Sequence, residues 1–198
     1  MTSLIAELQQ RAPRIRTIGL PYHSSEAALE AVSAGDVQVA LFGHRDKPTS
    51  SQVTFHAIAE TEIMLALPPN SALTSSQRIG DESLVGQPFV ITRPGTVLRE
   101  YYDELAVRVG GLRIAAEISH REAMLPLVAQ GVGLSLVSGS WRKLVHATGV
   151  SLRGFSQPAG VTIWLATRSR LDVAAQTFVD LALASKTANK WTLSTPEN

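Results

Sequence analysis

The chain has no cysteine. That excludes disulfides and thiolate metal sites, and with them the usual argument for an oxidising compartment. It has almost no net charge: 18 Lys and Arg against 17 Asp and Glu leave +1. A dedicated nucleic-acid surface needs clustered excess base, and none is found. No apolar run is long enough to cross a membrane. Met1 to Gln10 lacks the apolar core of a signal peptide. A cytoplasmic location with no membrane partner is expected. There is no internal repeat, no phosphate loop ending in G-K-S/T and no G-x-S-x-G elbow. Gly131-Val132-Gly133 is not a dinucleotide fingerprint, because it ends a helix and precedes a strand. His23 and His44 lie on loops without a third ligand at metal spacing, so no metal site and no cofactor is expected.

What is there is a well-supplied core. Hydrophobic residues make up 44% and charged residues 18%, which argues against disorder. The 198 residues suffice for one large domain or two small ones.

Strand and helix patterns alternate along the chain. Thr2 to Gln10 reads as a helix with Leu4, Ile5 and Leu8 on one face. Arg14 to Leu20 alternates and reads as a strand. Ser25 is placed to cap a helix over 26–34, and Gly35-Asp36 ends it. Val37 to Phe42 is a buried-strand pattern, and Val53 to Ile58 and Glu62 to Leu67 are two more strands. Phe89 to Thr92 is a short strand. Thr96 is placed to cap a helix whose stripe is Leu98, Tyr101, Tyr102, Leu105 and Val109. Arg113 to Ile118 is a strand. Ser119 and Glu122 have capping-box spacing for the next helix, which carries Pro126 inside it. There Pro126 removes a donor and costs about 3 kcal/mol unless a kink is accommodated. Gly131 stops that helix, and Val132 to Val137 is a strand. Trp141 to His146 is helical, and Val150 to Leu152 and Val161 to Thr167 are strands. Ser169 and Asp172 resemble a capping box for a last helix, and a loose tail is expected from Lys186. The class is α/β with mostly parallel sheets.

Three polar turns precede helices: Ser24-Ser25, Pro94-Gly95-Thr96 and Ser119-His120. Each aims hydroxyls and helix-start amides outward, an arrangement suited to anions. Two readings stay open. Ser25, Thr96 and Ser119 either contact a ligand or only cap helices. His120 either pairs with a ligand carboxylate or is simply solvated. A triad from Ser119, His120 and Glu122 fails, because adjacent helix-start residues point in different directions. No catalytic residue is expected.

Four segments together resemble the effector-binding domain of LysR-type transcriptional regulators. Residues 25–41, Ser25-Glu26-Ala27 through Gly35-Asp36-Val37 to Leu41, are similar to that family's helix, Gly and "LDLAL"-type strand. Leu65-Ala66-Leu67-Pro68-Pro69-Asn70-Ser71-Ala72-Leu73 resembles its "L-x-L-P-x-x-H-P-L" crossover. Pro88-Phe89-Val90-Ile91 with Pro94-Gly95-Thr96-Val97-Leu98-Arg99 resembles its "PFI" strand and following turn. Residues 117–137 resemble its "E-x-x-S-x-E-A-x-x-x-L-V-A-x-G-x-G-I-x-L-x-P" run. Their order and spacing carry the resemblance, over about residues 4 to 185.

The resemblance implies a type 2 periplasmic-binding-protein-like fold. It would have two Rossmann-like subdomains joined by two crossover strands, near Leu67 and near Val161. The first would be residues 1–66 and 163–198, the second 67–162. It also implies a small effector bound in the cleft, anionic if the helix-start amides of the three polar turns hold it, and a homodimer or higher oligomer. The implied effector contacts are Ser25, Phe42, Gly43, Thr96, Ser119 and His120. The family's winged helix-turn-helix and linker helix are not found in these residues. DNA binding is therefore expected only through a domain outside them. The family's domain also opens with a strand before the first helix, whereas this chain starts at the helix. Gln38 replaces a usual acid, and Ser138 stands where Pro is common. A free-standing solute-binding protein of the same fold is the alternative, and an enzyme on this scaffold a third reading.

Overall fold

A computed structural model describes residues 2–119 and 123–187. Two compact units emerge. The first comprises residues 1–60 and 162–198, the second residues 61–161.

In the first unit, α1 (Thr2–Arg11) buries Leu4 and Leu8, four residues apart on one face. Residues 14–20 do not form a strand. They run without regular structure, and Ile18 and Leu20 are 70% and 55% exposed. Alternation promised a strand, but strands exist only as pairs, and among the described residues no strand pairs with this segment. α2 (Ser25–Ala34) is capped by Ser24 rather than Ser25: the Ser24 Oγ accepts the Ala27 N–H at 3.1 Å. It ends on Gly35, at φ 90, the left-handed position that favours glycine. β1 (Val39–His44) follows.

β2 (Val53–Leu67) is one strand of 15 residues, not two. Ala59-Glu60-Thr61 offers neither Gly nor Pro to break it. The second unit continues with β3 (Arg78–Ile79), β4 (Pro88–Thr92), α3 (Val97–Val109), β5 (Arg113–Ile118), α4 (Met124–Ala129), β6 (Ser135–Ser138), α5 (Arg142–His146) and β7 (Ser151–Phe155). β8 (Gly160–Arg168) returns the chain to the first unit, where α6 (Val173–Thr187) closes the described structure. α6 runs past Lys186, where a tail was expected, and residues 188–198 lie outside the described residues.

The class is α/β, as expected, but the sheets are mixed rather than mostly parallel. β1 pairs antiparallel with β8, and β2 pairs antiparallel with β6 and β7. β3–β7 and β4–β5 are parallel. The order is β1-β8-β2-β7-β3, with β6 also on β2 and β4-β5 apart. The antiparallel pairs involve β2 or β8, the strands that leave and re-enter the first unit in opposite senses.

Each unit has its own core. In the first, Val39 and Leu41 of β1 pack with Leu4, Leu8 and Val179, while Ala40 and Phe42 pack with Ala28 and Val32. β1 is therefore covered on both faces, the setting in which strands read as continuous apolar runs. In the second, Ile63, Leu65 and Leu67 of β2 meet Phe89, Tyr101, Tyr102, Leu105 and Phe155. Met64 and Ala66, on the other face, meet Met124, Leu125 and Val128 of α4. Gly133 lets the chain pass close to β4: a Cβ there would lie 2.7 Å from the Pro88 carbonyl oxygen. That oxygen accepts the Leu134 N–H at 2.8 Å.

Pro126 costs less than expected. α4 starts at Met124, so Pro126 sits in its first turn, where the backbone donor has no intrahelical partner to lose.

Candidate functional site

β4 and β5 run parallel, with Thr92 opposite Ile118, so their carboxyl ends fall together. Open α/β sheets place ligands at such ends. Thr96 begins α3 from an extended backbone at φ −113 and ψ 144. Its Oγ1 accepts the Arg99 N–H at 3.2 Å. The same hydroxyl shares a hydrogen bond with Thr92 Oγ1 at 2.8 Å. Ser119 directly follows β5. His120 lies outside the described residues, and so does Glu122, the other half of the expected capping box. At the start of α4, Ala123 supplies no side-chain cap.

Three residues at this end were not singled out as site residues from sequence: Thr92, Arg99 and Glu117. Thr92 is 7% exposed. Arg99 donates through Nη1 to the Thr92 carbonyl at 3.1 Å and to Glu117 Oε2 at 2.8 Å, and through Nε to Asp103 Oδ1 at 2.9 Å. The bond to Asp103, helped by Glu117, raises the Arg99 pKa above its ordinary value against the opposing effect of burial. This guanidinium is thus already matched by two carboxylates. The Arg99 and Asp103 spacing of four was legible on a helix. Glu117, on a different element, carried no local signal.

The first unit gathers the other expected residues. Ser25 Oγ donates to the Gly43 carbonyl at 3.4 Å, tying the start of α2 to β1. Phe42, half-buried and opposite Trp164 in the β1–β8 register, packs among the side chains of α2. So Ser25, Phe42 and Gly43 belong together in the first unit, and Thr96 and Ser119 in the second. A surface hollow of about 310 Å³ lies apart from all of these, lined by Ile5, Gln9 and residues 13–17. Among the described residues no group of three His, Asp or Glu side chains is gathered for a metal ion. No helix of the described residues is long and apolar enough to cross a membrane.

The LysR substrate binding domain profile matches residues 1–186. The chain belongs to this family. A probable RuBisCO transcriptional regulator of Cyanidioschyzon merolae is 26% identical over 144 residues, 70% of this chain and 47% of that protein. The LysR-family chain thus spans about half the length of that relative. Among solved structures, the Synechocystis PCC6803 CcmR regulatory domain in complex with 2-PG superposes with a TM-score of 0.76 at 18% identity, covering 93% of this chain and 90% of that one. The effector binding domain of QuiR in complex with shikimate gives 0.75 at 16% identity, covering 94% and 90%. At such identities the likeness shows the fold: a LysR effector-binding domain of the type 2 periplasmic-binding-protein kind.

Proposed function

We propose that this domain senses a small, anionic metabolite and passes the signal to a DNA-binding domain elsewhere in the same polypeptide or assembly. Thr96 and Ser119 in the second unit are its primary contacts, with Ser25, Phe42 and Gly43 as the contribution of the first and His120 as a neighbour of Ser119. The observation that carries the reading is the LysR family match over residues 1–186. The two hydroxyl-bearing turns at the carboxyl ends of β4 and β5 support the placement. So does the pairing of two structural neighbours with small molecules, 2-PG and shikimate. The role is regulatory rather than catalytic, the setting cytoplasmic, and the working state a homodimer or higher oligomer. Ligand acts by binding one arrangement of the protein better than another, since only differential affinity shifts an equilibrium.

A thermal-shift screen of the 198-residue chain against small organic acids tests this. A ligand of the folded form raises the melting temperature with the logarithm of its excess over Kd. Ser119→Ala is expected to remove the shift from any hit. A hit whose shift, measured against each variant's own unliganded melt, survives both Ser119→Ala and Thr96→Ala at full size places the ligand elsewhere.

A further inference from the structure

Tyr102 lies on the buried face of α3, 3% exposed, with its ring edge-on to Phe89 at 5.3 Å between centroids. Its hydroxyl is buried and has no hydrogen-bond partner among the described residues. Buried hydroxyls are paired in native proteins as a rule, because leaving one unpaired forfeits its hydration for nothing. Burial also raises the Tyr102 pKa, which keeps the group a donor at neutral pH.

Beside it lies a cavity of about 10 Å³ within the second unit. Leu98 and Met124 supply apolar wall, and three hydroxyl-bearing residues, Thr92, Tyr102 and Ser135, also line it. A hole of roughly 10–15 Å³ holds one water-sized atom and nothing larger, and it needs two to four polar partners to do so. Ser135 Oγ donates its proton to the Val90 carbonyl at 2.7 Å, which leaves its lone pairs able to accept. Thr92 Oγ1 is engaged with Thr96 on its other side. The residues around the hole thus include one buried hydroxyl without a partner, that of Tyr102, and one, that of Ser135, whose proton is committed to Val90 and whose oxygen can still accept.

We propose that this cavity is a one-oxygen site: a single oxygen accepts from the Tyr102 hydroxyl, donates to Ser135 Oγ, and so joins α3 to β6. The oxygen is that of a water or of one hydroxyl of a bound ligand. The ligand arm rests on the sensor reading above, whereas the water arm does not.

A crystal structure of the 198-residue chain, with and without any hit of the screen, tests the site. An oxygen about 2.6–3.2 Å from the Tyr102 oxygen is expected, as an isolated peak if it is water and within the ligand's density if it is the ligand's hydroxyl, and Tyr102→Phe is expected to abolish the isolated peak. A cavity empty in both crystals, a Tyr102 hydroxyl turned onto a protein carbonyl, or an isolated peak that persists in Tyr102→Phe overturns the proposal. Melting gives an independent sign. If the hydroxyl is bonded through the oxygen, Tyr102→Phe leaves the melting temperature unchanged or lower. If it is unbonded, the same change raises the melting temperature, which also overturns the site. The two sources separate by affinity. A roughly tenfold loss for a hydroxyl-bearing ligand in Tyr102→Phe, absent for its deoxy analogue, identifies the ligand's oxygen. Unchanged affinity with a peak in the unliganded crystal identifies water.

Discussion

Gln38 and Asp172 bond each other in both directions across the first unit. Gln38 Nε2 donates to Asp172 Oδ2 at 2.5 Å, and the Asp172 backbone N–H donates to Gln38 Oε1 at 3.0 Å. The second carboxylate oxygen accepts the Ala175 N–H at 2.7 Å, so Asp172 itself caps α6, without Ser169. The Ala175 bond first, and the Gln38 bond second, hold the Asp172 pKa below its ordinary value. A depressed carboxyl stabilises the fold fully above its unfolded pKa of about 3.9 and loses that stabilisation as pH falls through the folded value. Urea midpoints measured from about pH 7 downward are expected to fall off below about pH 4 in the natural chain. Asp172→Asn, which caps but does not titrate, is expected to show a shallower decline. Gln38→Glu, which sets a second carboxylate against the first, is expected to lower the melting temperature near neutral pH and to recover it on acidification.

Thr96 supplies a cap whatever else it does. Thr96→Ala is expected to cost about 1 kcal/mol of unfolding free energy, within the roughly 0.5–2 kcal/mol of cap deletions, while Thr96→Ser stays near zero. Denaturant titration of the two variants separates capping from ligand contact. An alanine variant as stable as the parent would mean that the bond to the Arg99 N–H contributes nothing.

Arg99 and Glu117 join α3 to β5, but the Glu117 side chain is 43% exposed. Solvent screening limits such a pair. A double-mutant cycle with Arg99→Met and Glu117→Gln is expected to give a coupling below about 1 kcal/mol that shrinks as salt is added. A coupling above about 2 kcal/mol would show the pair to be far better shielded than its exposure indicates.

The core positions divide sharply by burial. Phe89 is fully buried in the second unit, and Phe89→Ala is expected to cost about 3–5 kcal/mol. Val107, on the same unit, is 85% exposed, and Val107→Ala is expected to stay within about 0.5 kcal/mol. Gly133→Ala drives a methyl into backbone, which cannot swing aside as a side chain can, and about 1–3 kcal/mol of destabilisation is expected. Chemical denaturation of the three variants checks the order.

Elements with a complete local signature were legible in the sequence. α3 has its Thr96 cap and its apolar stripe, forms as read, and ends on Gly110. Where the signature depends on a partner, reading failed. Alternation over 14–20 marks a chain able to pair, not one that has found a neighbour. The fusion of two expected strands into β2 reflects a stretch with no breaker. Ser24 outcompeted Ser25 as a cap because a helix start is fixed by backbone geometry that two adjacent serines do not distinguish in sequence. At the candidate site, Thr96 was visible because capping is local. Thr92 was not, because it reaches Thr96 and Arg99 only through the fold of the turn between β4 and α3, and Glu117 was not, because it reaches Arg99 from β5, a separate element.

β1 stands at the end of its strand order, although both its faces are covered. Along Val39–His44, successive peptide groups turn alternately toward β8 and away from it. Burial is much the same at every position, yet deuterium uptake at single-amide resolution would rise and fall with a period of two. A strand shielded above and below, but with a strand neighbour along one edge alone among the described residues, would thus announce itself as a comb of slow and fast exchange.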